Sequence, residues 1–452
     1  MKNKRLMLIY PPEAQINEMP KRGGIPTCLL SIAGYARDKG VDVNFLDAKM
    51  NNFDNTRDLG NNTYEYGLSY DEIKTKVLEF APDFVGVSGK FTNTWLQSLK
   101  VLQTIKQADP KIKTLVGGHH ASMSLESIKE NSLIDHIIVG EGEKAVYDLL
   151  SGTETNKVIY GSNIKNLDEL NDPAWDLINI KNHNRPDLAH YPNARNHPLM
   201  DLLISRGCPR DCSYCTTPKM HGRKIRTFSK ERIQQQIQKI NSLGYKEIAV
   251  EDDEIITMPK DIRDAYFEAL RKSRLSWVID AGVYYPRINE EFVQSLADSN
   301  CHQVFVPIEN PHIGIMHQQN KYHEFKTQDD VPKQIESFSR LFKKYNIQFY
   351  SAIMTGFPEE RKTDIDYDVQ IGKFIKENGA HSVYFFSLLP LPGTRNAEKY
   401  QGHAITSPEK FWLSKSVLNG QDFNTNWLDE RLKSAHLEIN GMKKTIPGGI
   451  VE

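Results

Sequence analysis

The sequence predicts an α/β protein with a doubly wound parallel sheet first, a partial (β/α)6 barrel second, and a small helical C-terminal region. Three observations predict this organisation. Short apolar runs alternate with helical segments over the first third of the 452-residue chain. The alternation restarts near residue 200, after a segment rich in Pro, Asp and Asn, and it stops near residue 400. We therefore expect a first domain, a linker, a second domain and a C-terminal region at residues 1–150, 151–195, 196–398 and 399–452.

The first domain is predicted to contain five strands, at residues 6–10, 41–46, 84–88, 114–116 and 136–139. Helices are expected between them, at about residues 23–39, 71–80, 95–108 and 125–131. Gly40 ends the first helix, and Ser124 is a suitable N-cap for the last. Strands that are apolar throughout are typical of a parallel sheet covered on both faces, whose ligand-binding loops lie at the carboxyl ends of the strands.

Four loops follow these carboxyl ends, namely Tyr10-Pro11-Pro12, Ser88-Gly89-Lys90-Phe91, Gly117-Gly118-His119-His120 and Gly140-Glu141-Gly142-Glu143. Glycine at such positions lets the backbone approach a large flat ligand closely. Taken singly, each loop is more often an ordinary tight turn between a strand and a helix. Together they form a candidate binding edge.

The second domain is predicted to contain six strands, at residues 202–204, 247–250, 277–283, 303–308, 348–354 and 382–388. Ser229 is a suitable N-cap for a helix over 229–243. Acidic residues follow two of the strands, with Asp252 and Asp253 in a run of four acids and Glu309 after the fourth strand. Such acids are usually solvated, but at the end of an apolar strand they can bind amino or hydroxyl groups of a ligand. The C-terminal region is expected to be helical at 407–418 and 426–440.

Three of the five cysteines, Cys208, Cys212 and Cys215, lie within eight residues, just after the first strand of the second domain. Structural cysteines have no reason to cluster in a loop rich in Gly, Pro and Asp, so this loop is predicted to bind metal. A zinc site would need a fourth ligand, for which His221 is a candidate. An odd number of cysteines argues against disulfides. The better interpretation is an iron–sulfur cluster held by three thiolates, with one iron open to a ligand.

The C-x3-C-x2-C spacing, with Tyr214 before the last cysteine, resembles the signature of the radical SAM superfamily. The resemblance implies that the three cysteines hold a [4Fe–4S] cluster and that S-adenosylmethionine (SAM) binds the open iron. It also implies that reduction cleaves SAM to methionine and a 5′-deoxyadenosyl radical, and that Tyr214 lies against the adenine. The other SAM contacts that it implies are Asp252, Asp253, Glu309 and, in a loop resembling G-x-P-x-E, Gly356, Pro358 and Glu359.

The loops of the first domain, in this order before such a triplet, resemble the Rossmann-like domain of cobalamin-dependent radical SAM enzymes, in particular class B methyltransferases. The G-G-x-H and G-E-G-E loops match residues 117–120 and 140–143. No D-x-H-x-x-G motif occurs, so the resemblance implies cobalamin without a histidine lower ligand, or a domain that has lost cobalamin. The implied cobalamin contacts are Pro11, Pro12, Ser88, Phe91, Gly117, Gly118, His119, Gly140, Glu141, Gly142 and Glu143.

The resemblance implies methylation, through methylcobalamin, of an unactivated carbon in a small metabolite or biosynthetic intermediate. The alternatives are radical rearrangement, cyclisation or ring contraction without methyl transfer, and a non-catalytic corrinoid- or metal-sensing module. A single cluster is expected, because no cysteine follows Cys301. We assign no catalytic side chain, since no nucleophilic triad is present. The expected electron donor is a flavodoxin- or ferredoxin-type protein. The chain is expected to be a monomer.

The composition bears on the class of protein, its partners and its location in the cell. With 39% hydrophobic and 25% charged residues, the chain is an ordinary globular protein, and its net charge of −1 favours neither nucleic acid nor an anionic membrane as a partner. The first apolar run stops at Pro11, too early for a signal peptide, and no stretch is long enough to span a membrane. We therefore expect a cytoplasmic protein, in which thiols stay reduced.

Overall fold

A computed structural model of the chain describes residues 4–17, 19–183, 194–407, 411, 415–441, 444–446 and 449–451. The chain forms two compact units. The first contains the described residues up to 183 together with residues 219–222, and the second contains the remainder of the chain from residue 194 on. Within the described residues, no helix is both long enough and apolar enough to cross a membrane.

The first unit alternates strands and helices. Its strands are β1 (Arg5–Tyr10), β2 (Glu13–Ile16), β3 (Asp42–Asp47), β4 (Thr56–Gly60), β5 (Thr63–Tyr66), β6 (Phe84–Ser88), β7 (Lys113–Gly117), β8 (His136–Gly140) and β9 (Val158–Gly161). Its helices are α1 (Thr27–Asp38), α2 (Tyr70–Phe80), α3 (Trp95–Ala108), α4 (His119–Met123), α5 (Leu125–Ile128), α6 (Gly142–Ser151) and α7 (Ile180–His183).

Six of these strands form one parallel sheet in the order β3-β1-β6-β7-β8-β9. Both faces are covered, which is why the apolar run Leu6–Ile9 is at most 2% exposed. The strand order changes direction between β1 and β6. This confirms the predicted doubly wound sheet and places its topological switch point between the carboxyl ends of those two strands.

Several elements of the first unit were not predicted. Strands β2, β5 and β4 form a separate antiparallel sheet, whose β4–β5 hairpin turns at Asn61 and Asn62, both at positive φ. Its strands are too polar to form an apolar run. The predicted cap is wrong as well, because Ser124 makes no cap hydrogen bond and its hydroxyl instead contacts Nδ1 of His120 at 3.3 Å. The predicted helix over 125–131 is replaced by α4 and α5.

The segment predicted as a linker, 151–195, contributes structure to the first unit up to residue 183. Strand β9 pairs with β8, and the N–H of Ala174 donates to the carbonyl of Leu30 at 2.9 Å. Trp175 is 4% exposed. The chain therefore packs on the first sheet well beyond residue 150. The sequence predicts a loop over the basic and histidine-rich residues 183–197, of which residues 184–193 lie outside the described residues.

The second unit also alternates strands and helices. From residue 199 on, the strands are β10 (Leu199–Leu202), β11 (Ser205–Arg206), β12 (Arg226–Thr227), β13 (Glu247–Val250), β14 (Ser276–Ile279), β15 (Cys301–Glu309), β16 (Gln348–Thr355), β17 (Val383–Ser387), β18 (Lys444–Ile446) and β19 (Gly449–Val451). The helices from residue 217 on are α8 (Thr217–His221), whose residues 219–221 belong to the first unit, α9 (Lys230–Ser242), α10 (Lys260–Ser273), α11 (Glu290–Asp298), α12 (Ile313–Gln318), α13 (Asp330–Lys344), α14 (Lys362–Glu377), α15 (Arg395–Lys399) and α16 (Thr425–Asn440).

Six parallel strands of this unit follow one another in the order β10-β13-β14-β15-β16-β17. An open sheet of six consecutive parallel strands with intervening helices is the predicted partial (β/α)6 barrel, and its functional edge is the one at the carboxyl ends of the strands. Helix α9 begins as predicted, with the Ser229 hydroxyl accepting a hydrogen bond from the N–H of Arg232.

The C-terminal region is only partly as expected. Helix α16 confirms the helix predicted over 426–440. The other predicted helix, over 407–418, is wrong where the structure describes it, because residues 411 and 415–418 are not helical and Leu418 forms an antiparallel bridge with Ala404. Residues 408–410 and 412–414 of that prediction lie outside the described residues.

Candidate functional site

Cys208, Cys212 and Cys215 lie in one loop that follows β10 and β11 and leads into α8. All three are free thiols; Cys212 is buried and the other two are partly exposed. Burial raises the pKa of the Cys208 thiol to about 12, so binding of a metal there must release a proton. Among the described residues, no three His, Cys, Asp or Glu side chains are grouped to hold one metal ion. Cluster ligands bind separate irons and need not meet at one point.

Asp252, at the end of β13, supports the base of this loop. Its Oδ1 accepts hydrogen bonds from the N–H of Ile204 at 3.0 Å and from the N–H and hydroxyl of Ser205 at 2.6 and 2.5 Å. Asp252 is 1% exposed, and burial raises its pKa to about 7. Asp253 accepts from the N–H of Gly207 at 3.1 Å. Both acids predicted to contact SAM therefore contact the cysteine loop itself.

The loop is also held by two segments that are distant from it in the sequence. The N–H of Ser213 donates to the carbonyl of Gln319 at 3.0 Å, and Nδ2 of Asn320 donates to the carbonyl of Asp211 at 3.1 Å. Arg395 forms an ion pair with Asp211 at 3.0 Å. Sequence reasoning missed these supports, because nothing in the sequence indicates that residues over 100 positions apart meet at this loop.

Glu309 and Tyr214, which were predicted from separate motifs, come together at the end of β15. The Tyr214 hydroxyl donates to Oε1 of Glu309 at 3.1 Å, and Nζ of Lys321 lies 2.7 Å from the same oxygen. Glu309 has a φ of 61°, next to an irregularity in the pairing of β15 with β16. The Glu309 carboxylate at the end of β15 therefore contacts the cysteine loop through Tyr214.

The loop after β16 is organised by Glu360, a residue outside the predicted SAM contacts. Its Oε2 accepts hydrogen bonds from the N–H of Gly356 at 2.6 Å and of Phe357 at 2.8 Å, and Asn310 donates to Oε1 at 2.5 Å. Burial, which outweighs these hydrogen bonds, raises the pKa of Glu360. Gly356 has a φ of 81°, and a Cβ there would lie 2.6 Å from Leu428.

Glu359 has a different environment from its neighbour. Its carboxylate pairs with Lys399 at 2.5 Å and accepts a hydrogen bond from the Tyr400 hydroxyl at 2.8 Å. The sequence motif indicates Glu360 as the acid that holds this loop, because Glu360 is the fifth position of G-x-P-x-E. The predicted SAM contacts of Pro358 and Glu359 stay predictions.

In the first unit, the loops after β1 and β6 flank the topological switch point. Pro11, Pro12 and Ser88 are buried there, whereas Phe91 is 45% exposed. Open α/β sheets bind their ligands at such a switch point. The predicted residues of these two strands thus lie at the edge where the fold places ligands.

The glycines of the neighbouring loop allow close contact within the protein. The N–H of Gly89 donates to the carbonyl of Gly117 at 2.7 Å. Gly118 has a φ of 106°, and a Cβ there would lie 3.0 Å from the Gly89 backbone. The loops after β6 and β7 are therefore packed against one another, and this contact alone accounts for Gly118.

The acids of the G-E-G-E loop make hydrogen bonds inside the first unit. Oε2 of Glu141 accepts from the N–H of Ile164 at 3.0 Å, and its Oε1 lies 3.1 Å from Nδ1 of His221. Oε1 of Glu143 accepts from the Ser31 hydroxyl at 2.7 Å. Both acids are at most 4% exposed. His221, the candidate zinc ligand, thus contacts a carboxylate of this unit.

The two histidines of the preceding loop are packed. His119 begins α4, and its ring lies edge-on to that of His221 with the centroids 6.0 Å apart. Burial lowers the pKa of His119 to about 4, so its imidazole is neutral at pH 7. His120 packs on the Trp95 ring at 4.8 Å, and its Nδ1 lies 3.1 Å from the Thr92 hydroxyl.

Comparison with known proteins matches each unit to a family. The B12 binding domain matches residues 23–150, and the Radical SAM superfamily matches residues 202–370. An uncharacterized methyltransferase of Pyrococcus horikoshii is 24% identical over 100% of this chain and 96% of its own length. Cytidylyl-2-hydroxyethylphosphonate methyltransferase of Streptomyces wedmorensis is also 24% identical, over 90% of this chain and 83% of its own.

Among solved structures, the radical SAM methyltransferase TsrM from Kitasatospora setae, determined with cobalamin and a [4Fe–4S] cluster bound, has a similar fold. The TM-score is 0.64 at 15% identity, covering 89% of this chain and 76% of TsrM. The chain therefore carries a B12 binding domain followed by a domain of the radical SAM superfamily. The two matched families imply cobalamin for the first unit and SAM with an iron–sulfur cluster for the second.

The side chains of both units fit those cofactors. Three free thiols in one loop are the donor set of a cluster with one open iron. Glu309 keeps 19% of its side chain exposed at the carboxyl edge of the barrel sheet, where a ligand can reach it. In the first unit, the exposed ring of Phe91 stands at the switch point.

Proposed function

We propose that this protein methylates an unactivated carbon of a small molecule and that Cys208, Cys212 and Cys215 hold its cluster. The observation that carries the proposal is the assembly of the cysteine loop, the Glu309 carboxylate and the loop held by Glu360 at the carboxyl edge of one parallel sheet. When bound, the cofactors supply reductive cleavage of SAM and a transferable methyl group.

The side chains around the cluster loop have two kinds of role in this proposal. Asp252 and Asp253 hold the loop by accepting its N–H groups, so that the thiols are presented in a fixed arrangement. Tyr214 and Glu309 contact SAM, as do Gly356, Pro358 and Glu359 in the loop after β16. Glu360 acts on SAM indirectly, because it fixes the backbone of that loop.

Cobalamin is proposed to bind at the switch point of the first unit, and the packing of its edge supports this proposal. Pro11, Pro12, Ser88 and Phe91 flank the switch point, and the remaining predicted contacts are Gly117, Gly118, His119, Gly140, Glu141, Gly142 and Glu143. We propose no histidine ligand below the cobalt, since the His119 ring packs against another ring of the same unit. We further propose that this cobalamin-binding domain extends to about residue 183.

The names of similar proteins support a small-molecule substrate. TsrM has been determined with a tryptophan substrate and a SAM analogue. A bacteriochlorophyllide d C-12(1)-methyltransferase of Chlorobaculum tepidum is 24% identical over 87% of this chain. Together with the phosphonate methyltransferase, these relatives act on chemically unlike small molecules. The shared feature is therefore methyl transfer rather than one substrate class.

The proposal is tested without knowing the substrate. Reconstituted holoprotein with cobalamin is reduced and incubated with SAM carrying a trideuterated methyl group. We expect S-adenosylhomocysteine, a trideuteromethyl group on the extracted cobalamin by mass spectrometry, and slow formation of 5′-deoxyadenosine. Cys212→Ala is the matched control, and it should form no 5′-deoxyadenosine because a cluster ligand is missing.

Two results would contradict this function. Formation of 5′-deoxyadenosine with no label on cobalamin would favour rearrangement or cyclisation over methylation. Absence of every SAM product from protein that contains both the cluster and cobalamin would favour a binding module without turnover.

A further inference from the structure

The side chain of Lys321 is a buried cation that none of the recognised motifs includes. It is 10% exposed, its Nζ lies 2.7 Å from Oε1 of Glu309, and it stands 5.5 Å and 4.9 Å from the ring centroids of Tyr214 and Tyr322. Burying an ammonium group is costly unless a partner compensates. The ion pair with Glu309 is that compensation, so each group fixes the position of the other.

Both donors meet the same oxygen of Glu309. The Tyr214 hydroxyl and the Lys321 ammonium group bind Oε1, and within the described residues no hydrogen bond to Oε2 is found. An ionised carboxylate accepts hydrogen bonds at both of its oxygens. With 19% of the side chain exposed, Oε2 is the oxygen left to accept hydrogen bonds from a ligand.

The turn that carries Lys321 is held on both sides. The N–H of Lys321 donates to the carbonyl of Met316 at 2.8 Å, and the Tyr322 hydroxyl donates to the carbonyl of Pro307 at 3.1 Å. Tyr322 has a φ of 60°, like Glu309 at 61°. Such backbone is costly for residues other than glycine and persists where the surrounding structure imposes it. The pairing of Lys321 with Glu309 is therefore built into the fold.

We propose that Lys321 is a positioning residue for SAM, which holds Oε1 of Glu309 so that Oε2 receives hydrogen bonds from the ribose hydroxyls. This inference rests on the proposed function and extends it, because it assigns to one side chain the orientation of the SAM-binding carboxylate. Lys321 itself touches no reacting atom, and its effect passes through Glu309.

The test measures SAM binding at equilibrium and needs no turnover. Unreduced, cluster-reconstituted holoprotein is dialysed anaerobically against radiolabelled SAM, and iron and sulfide are counted per chain. Lys321→Met and Glu309→Gln are each expected to raise the Kd for SAM roughly tenfold or more, the usual range for a hydrogen bond to a charged group. The Kd of the double variant for SAM should be no higher than the higher of the two single-variant values, because both substitutions disrupt the same interaction.

Lys326→Met is the matched control, since Lys326 is exposed and its ammonium group donates only to the carbonyl of His323 among described residues. It should bind SAM like the wild type. An unchanged Kd in Lys321→Met, or additive losses in the double variant, would overturn the inference. Loss of the cluster from Lys321→Met would also overturn it, by placing the role of the lysine in holding the cysteine loop. Wild-type protein that carries its cluster but binds no SAM would instead contradict the proposed function itself.

Discussion

Asp252 is expected to determine whether the cysteine loop is stable enough to receive a cluster. In Asp252→Ala, two buried N–H groups, of Ile204 and Ser205, lose their acceptor, while the Ser205 hydroxyl can rotate away. A buried donor without a partner costs about 1–3 kcal/mol, so the second unit should lose about 2–6 kcal/mol. That is a large share of the roughly 5–15 kcal/mol by which a domain is stable.

Asp252→Asn removes the negative charge of the side chain but keeps an oxygen that can accept hydrogen bonds. Its amide oxygen can occupy the position of Oδ1 and accept the same N–H groups, so we expect a smaller loss than in Asp252→Ala, arising from the amide N–H groups that replace the buried Oδ2. The two variants are compared by thermal unfolding of the apoprotein, followed by circular dichroism. For a unit of this size, Asp252→Ala should lower the midpoint by at least about 4 °C.

Reconstitution supplies the second measurement. Iron per chain should fall in Asp252→Ala and stay near the wild-type value in Asp252→Asn. Equal stability of wild type and Asp252→Ala would refute the hydrogen-bond argument. Equal losses in both variants would show that the charge, and not the acceptor, holds the loop.

Two further predictions concern the first unit. His119→Ala should leave the electron paramagnetic resonance spectrum of bound cob(II)alamin unchanged, and altered nitrogen coupling would show that His119 binds cobalt. Although burial alone would raise it, hydrogen bonds from Lys106 and Thr114 hold the pKa of Asp135 at about 2, below the usual value for Asp. The stabilisation by Asp135 is thus present above about pH 4 and is lost as the pH falls toward 2. Asp135→Asn should therefore destabilise the protein more at pH 7 than at pH 3 in urea unfolding, and equal effects at both pH values would contradict this assignment.

The elements that could be predicted from the sequence are those marked by a pattern among neighbouring residues. A buried parallel strand is apolar along its whole length, so all eleven strands predicted for the two parallel sheets were visible as short runs. The hairpin of β4 and β5 could not be predicted in this way, because its outward residues are polar and only Asn61 and Asn62 mark its turn. Strand β9 follows a polar segment at the sheet edge and is only four residues long.

By itself, the sequence determined the cysteine triplet, the order of the two sheets and the loops at their carboxyl ends, because spacing and periodicity are properties of neighbouring residues. Only the tertiary structure decided what holds those loops. Asp252 lies 47 positions from Ser205, and Lys321 lies 107 positions from Tyr214 but within 5.5 Å of its ring. Such contacts arise when separate strands end at the same edge of a sheet. No local pattern of residues encodes which side chains meet there.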